Sequence, residues 1–389
     1  MQKQTRKLQR RNLYINLLSL LKYTLILSKR IFMQKTGVAE LRLAQGPIPH
    51  YKEMVLLAEP LIEALVNEFG TKEVIIRFSN PLWYQCLACC FGFEYQFSGM
   101  TTVVIKAIKD GIKDKNLGIE IAGGKGKESL GTPKELERLG EIFNLSDKKI
   151  QNLIFNSKLI SKVDNVAVQD SYSLYFHSFI LDEKGNTSII NQGMNLREGM
   201  VRRYHWFNPS SIAESNIAGR KEKIVLDLTK ENEEETRKLI LDLAREGEKT
   251  AKTFLKLNRG TSQTNLYNFK EKKIIELPYY LKFPEKLNAK AMEVANNVKT
   301  FEEFLCSKGI GPSTMRGLAF VANLVYGSNL SWKDPIKFCY AYGTKAGKPW
   351  MVQKKEMRES ANILKSAVEN AKIGDQRKLR ILKKLSEFV

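Results

Sequence analysis

The sequence predicts an α+β chain in two parts: a mixed N-terminal domain built around a β-hairpin-containing sheet, and an all-helical C-terminal domain with a helix-hairpin-helix. Three features predict it. Apolar residues recur at helical spacing through most of the first 160 residues, β-branched and aromatic residues crowd 163–201, and beyond Pro284 only helical periodicity returns. At ~150 residues per domain a chain of 389 is expected to hold two or three domains. Its 43% apolar content is enough for a core in each.

Taken in order, Thr36 to Pro49 reads as an extended lead-in, and Lys52 to Phe69 repeats apolar residues at Val55, Leu56, Ala58, Ile62, Leu65 and Val66, a helix. Asn80-Pro81 opens another. A helical stripe from Thr101 to Lys115 leads into strand-like LGIEIAGGKGK, and Thr132-Pro133 with Glu135 starts helices that run to about Ser161. NVAVQDSYSLYFHSFIL and NTSIINQGMN flank Asp182-Glu183-Lys184-Gly185 and predict a hairpin. A strand at Ile224–Leu228 precedes a long charged helix from Lys230 to Leu257, with acids at its start and bases towards its end. Polar Asn258 to Asn268 is the best linker. The expected division is therefore an extension at 1–32, an α+β domain at 33–258, a linker at 259–280 and a helical domain at 281–389.

Lys and Arg outnumber Asp and Glu by 63 to 42, a net charge of +21. The charge is too well mixed with acids and aromatics for disorder, and a polyanionic partner explains it best. Residues 1–32 hold eight of the bases and no acid, so the rest of the chain keeps thirteen of the twenty-one excess charges. The apolar run from Leu13 to Leu27 within that extension is broken by Asn16 and Lys22, too short to span a bilayer and without a small-residue cleavage site. It reads as a surface helix, a helix docked on the body, or a start placed too early. No other segment approaches ~18 uninterrupted apolar residues, so the expectation is a soluble, cytoplasmic protein without membrane insertion. Five cysteines, three of them in LWYQCLACCFGF, suggest a reducing compartment and buried core thiols.

The motif that carries most of the functional inference is FEEFLCSKGIGPSTMRGLAFVANLVYG at 301–327. A short apolar helix meets Lys308-Gly309-Ile310-Gly311, and a second helix opens at Pro312. This resembles a helix-hairpin-helix. Gly309 and Gly311 permit a tight turn, and the free amides of the following helix, with Ser313 and Thr314 in its first turn, suit a phosphate. Lys308 and Arg316 add charge, and such contacts hold DNA by its backbone without reading bases. Some helix-hairpin-helix proteins are glycosylases with an Asp beyond the hairpin. Asp334 lies near that distance, while Ser313 and Thr314 stand where a lyase Lys is expected, which leaves a monofunctional glycosylase open.

GGKGKES at 123–129 lacks P-loop spacing, but Lys125 and Lys127 suit a phosphate. Polar groups are dense from Lys162 to His177 and at Gln192, Asn195 and Arg202 to Trp206. Alternation puts Asp170, Tyr172 and Leu174 on one strand face, with Gln192 brought towards them by the neighbouring strand. Asp164 and Asp170 with His177 and His205 are the candidate catalytic set, and the two carboxylates are candidate ligands for Mg²⁺ or Mn²⁺ in phosphodiester hydrolysis. A buried polar network is the alternative. Asp170, in an apolar strand, requires a compensating metal, a base such as Arg203, or hydrogen bonds.

These segments, with TGVAELRL at 36–43 and the GIGP turn, resemble the conserved, mainly archaeal family known as domain of unknown function 763, from Met33 to the C-terminus. The resemblance implies a domain order and no activity. The expected function is DNA binding in repair or maintenance, with metal-dependent cleavage as the leading chemistry and a monofunctional glycosylase or a non-catalytic DNA- or RNA-binding protein as alternatives.

Overall fold

The computed structural model describes residues 41–43, 50–93, 97–213, 215–260, 265–268, 273–337, 344–345 and 348–349. The expected extension at 1–32 and most of 338–389 lie outside them.

The fold is mixed α/β around one antiparallel sheet. Its strands are β1 (Leu41–Arg42), β2 (Ile119–Lys125), β4 (Ser173–Asp182), β5 (Thr187–Asn195), β6 (Met200–Phe207) and β7 (Asn216–Ala218). They run in the order β1-β6-β5-β4-β2, with β7 also on β6. The hairpin expected around Asp182–Gly185 is present as β4 and β5: the Asp182 Oδ1 accepts from the Lys184 and Asn186 amides at 3.0 and 2.7 Å, tying the turn. A separate two-stranded pairing joins β3 (Val168–Gln169) to β8 (Leu226–Asp227).

Side chains alternate across a strand, so the register sorts the sheet into two faces. Ile121, Phe176, Ile180 and Ile190 lie on one face. They pack with helices α1 (Tyr51–Phe69), α2 (Thr71–Phe78), α3 (Pro81–Cys90) and α4 (Gly99–Ile112). Ala122, Phe179, Ile189 and Trp206 occupy the other face in one row. Their core is completed by α5 (Thr132–Ile142), α6 (Asp147–Lys162), α7 (Glu234–Arg245), α8 (Glu248–Gly260), α9 (Phe301–Cys306) and α10 (Pro312–Tyr326). The sheet thus separates two apolar cores.

Several expectations are corrected. The linker at 259–280 carries an antiparallel hairpin, β9 (Asn265–Asn268) with β10 (Lys273–Glu276). Ile275 and Leu277 beside it are buried in the same core as Phe179, Phe304 and Leu318, so the C-terminal helices complete the core over the sheet and form no separate one. A further pairing, Thr344–Lys345 with Lys348–Pro349, interrupts the expected all-helical end. The long helix from Lys230 divides into α7 and α8 at Gly247, whose φ of +52° is the left-handed conformation that suits glycine. Finally, Cys86 and Cys89 are exposed rather than core, because they lie on the outer side of α3. No helix among the described residues is long and apolar enough to cross a membrane.

Candidate functional site

The dense polar segment is built where α6 runs out. After Lys162 the helix widens into a π-helical turn, Val163–Ala167, before β3. Such wide turns recur at functional sites. Asp164 belongs to this turn, and Asp170 lies in the bend after β3 and not on the strand face expected from alternation. Strand β4 begins only at Ser173. Ser171, between Asp170 and Tyr172, holds a left-handed φ of +78° at an energetic cost typical of functional sites.

A neutral relay fills the sheet surface under that turn. The register sets His177, Asn191 and Tyr204 in one row across β4, β5 and β6, with Trp206 in the next. Asn191 Nδ2 donates to Asp164 Oδ2 at 2.7 Å, and Trp206 Nε1 donates to the same oxygen at 3.0 Å. Asn191 Oδ1 must then accept from His177 Nδ1, at 2.6 Å. That fixes the tautomer, so Nε2 accepts from the Ser157 hydroxyl at 2.8 Å. Ser161 lies 3.1 Å from His177 Nδ1. Burial raises the Asp164 carboxyl to about 8, against its two donors, and lowers His177 to about 4. Asp164 is therefore a protonated acid and His177 a neutral base near neutral pH. Sequence reasoning misses Ser157, Ser161 and Asn191; the four-residue spacing of the serines on α6 is the available signal.

A charged lock lies beside the relay. Arg202 Nη1 donates to Asp170 Oδ2 at 2.8 Å, while Nη1 and Nη2 reach Asp334 Oδ1 and Oδ2 at 3.1 and 2.7 Å. The side chains of all three are fully buried. Tyr204 OH also donates to Asp170 Oδ2, and the Tyr172 amide to Oδ1. Burial works against the Arg202 charge, but the two carboxylates hold its guanidinium well above its ordinary value. Asp170 is thus compensated by Arg202, not by Arg203. Asp334, which also accepts from the Glu222 and Ile336 amides, is a structural carboxylate and not the open one a glycosylase requires.

The remaining expected residues fall on the opposite sheet face or at the surface. Gln192 binds Thr101, Ser98 and Tyr175 there. Arg203 lies 4.7 Å from the Tyr84 ring, and His205 Nδ1 donates to the Phe78 carbonyl at 2.9 Å. His205 is fully buried and cannot join His177. Of GGKGK, Gly123–Lys125 end β2, Gly126 turns the chain and Lys127 opens a short helix, Lys127–Leu130, so the segment is not an open loop. Gly123, at φ +85°, approaches the His177 carbonyl so closely that a Cβ would stand 2.3 Å from it. Lys125 and Lys127 beyond it are exposed.

These positions do not fit a Mg²⁺ or Mn²⁺ centre. Asp170 is committed to a guanidinium, a hydroxyl and an amide. Asp164 has one unpartnered buried oxygen, Oδ1, and holds a proton to about 8. Among the described residues no group of three His, Cys, Asp or Glu side chains is disposed to hold a metal.

The structure does join the polar segment to the turn between α9 and α10. A capping box, Thr300 with Glu303, starts α9. Ile310, 1% exposed, plugs the turn, and Gly309 has a φ of +88°. Lys162 Nζ donates to the Ile310 carbonyl at 2.5 Å, Gln169 Nε2 to the Pro312 carbonyl at 2.9 Å, and Arg316 Nη1 to Gln169 Oε1 at 2.6 Å. Arg316 Nε meets the Lys282 carbonyl at 2.8 Å. Arg316 is therefore an anchor, not a free phosphate ligand, and Thr314 is buried. Lys308, Gly309 and Ser313 remain exposed.

A family described as a protein of unknown function, DUF763, has a model that matches residues 37–352. The chain belongs to the DUF763 family. The matched span takes in the relay, the lock and the α9–α10 turn, so every candidate residue lies within the DUF763 region. No curated protein and no solved structure matches the chain.

Proposed function

We propose that this DUF763 protein binds DNA through backbone phosphates at a helix-hairpin-helix formed by α9, the turn 307–311 and α10, and that it serves repair or maintenance without reading sequence. The observation that carries this reading is the one-sided anchoring of the turn. Its Ile310 and Pro312 carbonyls are spent on Lys162 and Gln169. Lys308, Gly309 and Ser313 face solvent, where the first amides of a helix have no intrahelical acceptor and favour an anion. A net charge of +21 supports the same partner.

The test is fluorescence anisotropy with labelled DNA over a salt series, using the full chain. Gly311→Glu is the cleaner glycine variant, since a Cβ there meets nothing within 4 Å. Gly309→Glu would add backbone strain at positive φ. Gly311→Glu and Lys308→Glu are expected to weaken binding at least ~10-fold, with the melting temperature unchanged. The log–log salt slope should shrink by about 0.9 for each phosphate that is no longer neutralised. Unchanged affinity in both folded variants overturns the reading. Cleavage with Mg²⁺ or Mn²⁺ that stops in EDTA would add a metal-dependent nuclease activity.

A further inference from the structure

Beside the anchored turn stands a surface that phosphate binding leaves unused. Tyr279 is 43% exposed, and the guanidinium of Arg197 lies over its ring at 4.5 Å. Arg197 is itself exposed and forms no ion pair among the described residues; its neighbour Glu198 is engaged by Arg220. Leu196, next to it in the β5–β6 turn, is 69% exposed. Tyr280 stands edge-on to Tyr279, with ring centres 5.2 Å apart, and is fixed by its hydroxyl on the Ile224 carbonyl at 2.6 Å. The Tyr279 hydroxyl reaches Asn195 Nδ2 at 3.5 Å, and that amide also donates to Ser171 Oγ at 2.9 Å. The ring is therefore positioned from two sides while still open to solvent.

This surface is tied to the proposed phosphate site at two points. Three residues beyond Tyr279, the Lys282 carbonyl accepts from Arg316 of α10. Ser171 follows Gln169, which holds the Pro312 carbonyl, by two positions. Arg316 and Gln169 thus connect the backbone on either side of the ring to the start of α10. Aromatic rings and arginine planes are the platforms on which unpaired bases stack, whereas a base inside a duplex offers no free face.

We propose that Tyr279 and Arg197 form a stacking platform for an unpaired base, so that the preferred ligand is single-stranded DNA. The proposal rests on the phosphate reading above, and the experiment separates the two. Anisotropy is measured with a single-stranded oligonucleotide and with the duplex of the same length, and a 2-aminopurine is placed at successive positions of the single strand. The wild-type chain is expected to bind the single strand more tightly and to change 2-aminopurine fluorescence at one or two adjacent positions. Tyr279→Ala should weaken single-strand binding roughly 5- to 150-fold. It should remove the fluorescence change and leave duplex affinity within about twofold, while Tyr279→Phe keeps wild-type behaviour. Arg197→Ala should fall between the two. If folded Tyr279→Ala binds the single strand as wild type does, or weakens towards both ligands equally, the platform is overturned. In that event a loss of binding in Lys308→Glu leaves the phosphate reading standing. If Lys308→Glu and Gly311→Glu are also without effect, both fall.

Discussion

Two polar networks lie side by side on one face of the same sheet and are built by opposite rules. The Arg202 lock is ionic: one guanidinium between Asp170 and Asp334, with tyrosine and backbone donors satisfying the remaining lone pairs. The relay of Ser157, His177, Asn191 and Asp164 carries no charge near neutral pH, since burial has neutralised both titratable members. The difference shows two ways of placing polar groups in a core. Charges can be paired at short range, or the proton can be moved until no charge is left. The first ties residues far apart in the chain, with burial raising the Asp170 carboxyl against the pull of Arg202. The second is governed by pH.

Removing the centre of the lock gives the largest expected effect. Arg202→Met leaves two buried carboxylates without a counter-charge and should destabilise by about 3–5 kcal/mol in urea unfolding. A loss under 1 kcal/mol would mean that water reaches the pair and that the lock is not dry. Asp170→Asn is milder, because Asp334 still faces the guanidinium, and about 2 kcal/mol is expected. DNA affinity of the folded fraction should not change, since nothing in the lock touches the turn; a loss of affinity in proportion larger than the loss of folded protein would make Asp170 part of the binding surface.

The relay is tested by pH. An acid raised from its ordinary 3.8 to about 8 keeps its proton in the fold after the unfolded chain has lost it, so Asp164 makes stability fall as pH rises through that window. His177, lowered from 6.5 to about 4, acts in the opposite direction: the unfolded chain binds the extra proton, and stability rises with pH between those values. His205, lowered by burial and by Arg203, adds to that rise. Above pH 6.5 the two histidines finish losing their protons in the unfolded chain, which offsets part of the decline from Asp164. Stability should then decline by roughly 1 kcal/mol between pH 6.5 and 8. Asp164→Asn, which keeps the acceptor for Asn191 and Trp206, should flatten that limb; a slope that survives the substitution assigns it to another group. The smallest effect is expected outside both networks, where Cys86→Ser and Cys89→Ser on the exposed side of α3 should change stability by under ~0.5 kcal/mol.

The strands are legible in the sequence where local chemistry decides them. The β-branched stretch with its Asp-Glu-Lys-Gly turn locates β4 and β5, and helical spacing locates α1, because both signals are short-range. The core positions Phe304, Leu305, Ile310, Leu318 and Val321 are legible for the same reason, and all are buried. Asp170 is misplaced because NVAVQDSY has a strand's composition, whereas only Val168–Gln169 form a strand there and the chain bends at Asp170. The partner of Asp170 is assigned one residue off, to Arg203. Neighbours on a strand face opposite sides of the sheet, and the sequence does not say which parity faces Asp170. The linker is misread because polar 258–268 conceals a hairpin whose second strand exposes Ile274 and buries Ile275. What stays beyond reach in every case is long-range pairing: His177 with Ser157, Arg202 with Asp334, Gln169 with Pro312.

The partition of the sheet into two cores has a consequence for the order in which the chain can mature on the ribosome. Helices α1 to α4 precede the strands they cover, so one sheet face finds its partners as soon as β6 is made. The other face needs Phe304, Leu318 and Trp332, which lie 97 to 125 residues beyond the end of β6 at Phe207. At ~5–20 residues per second, roughly 6–25 s of synthesis separate the end of β6 from the arrival of Trp332. During that interval Phe179, Ile189 and Trp206 lack part of their cover, and a nascent chain halted there would be expected to recruit chaperones.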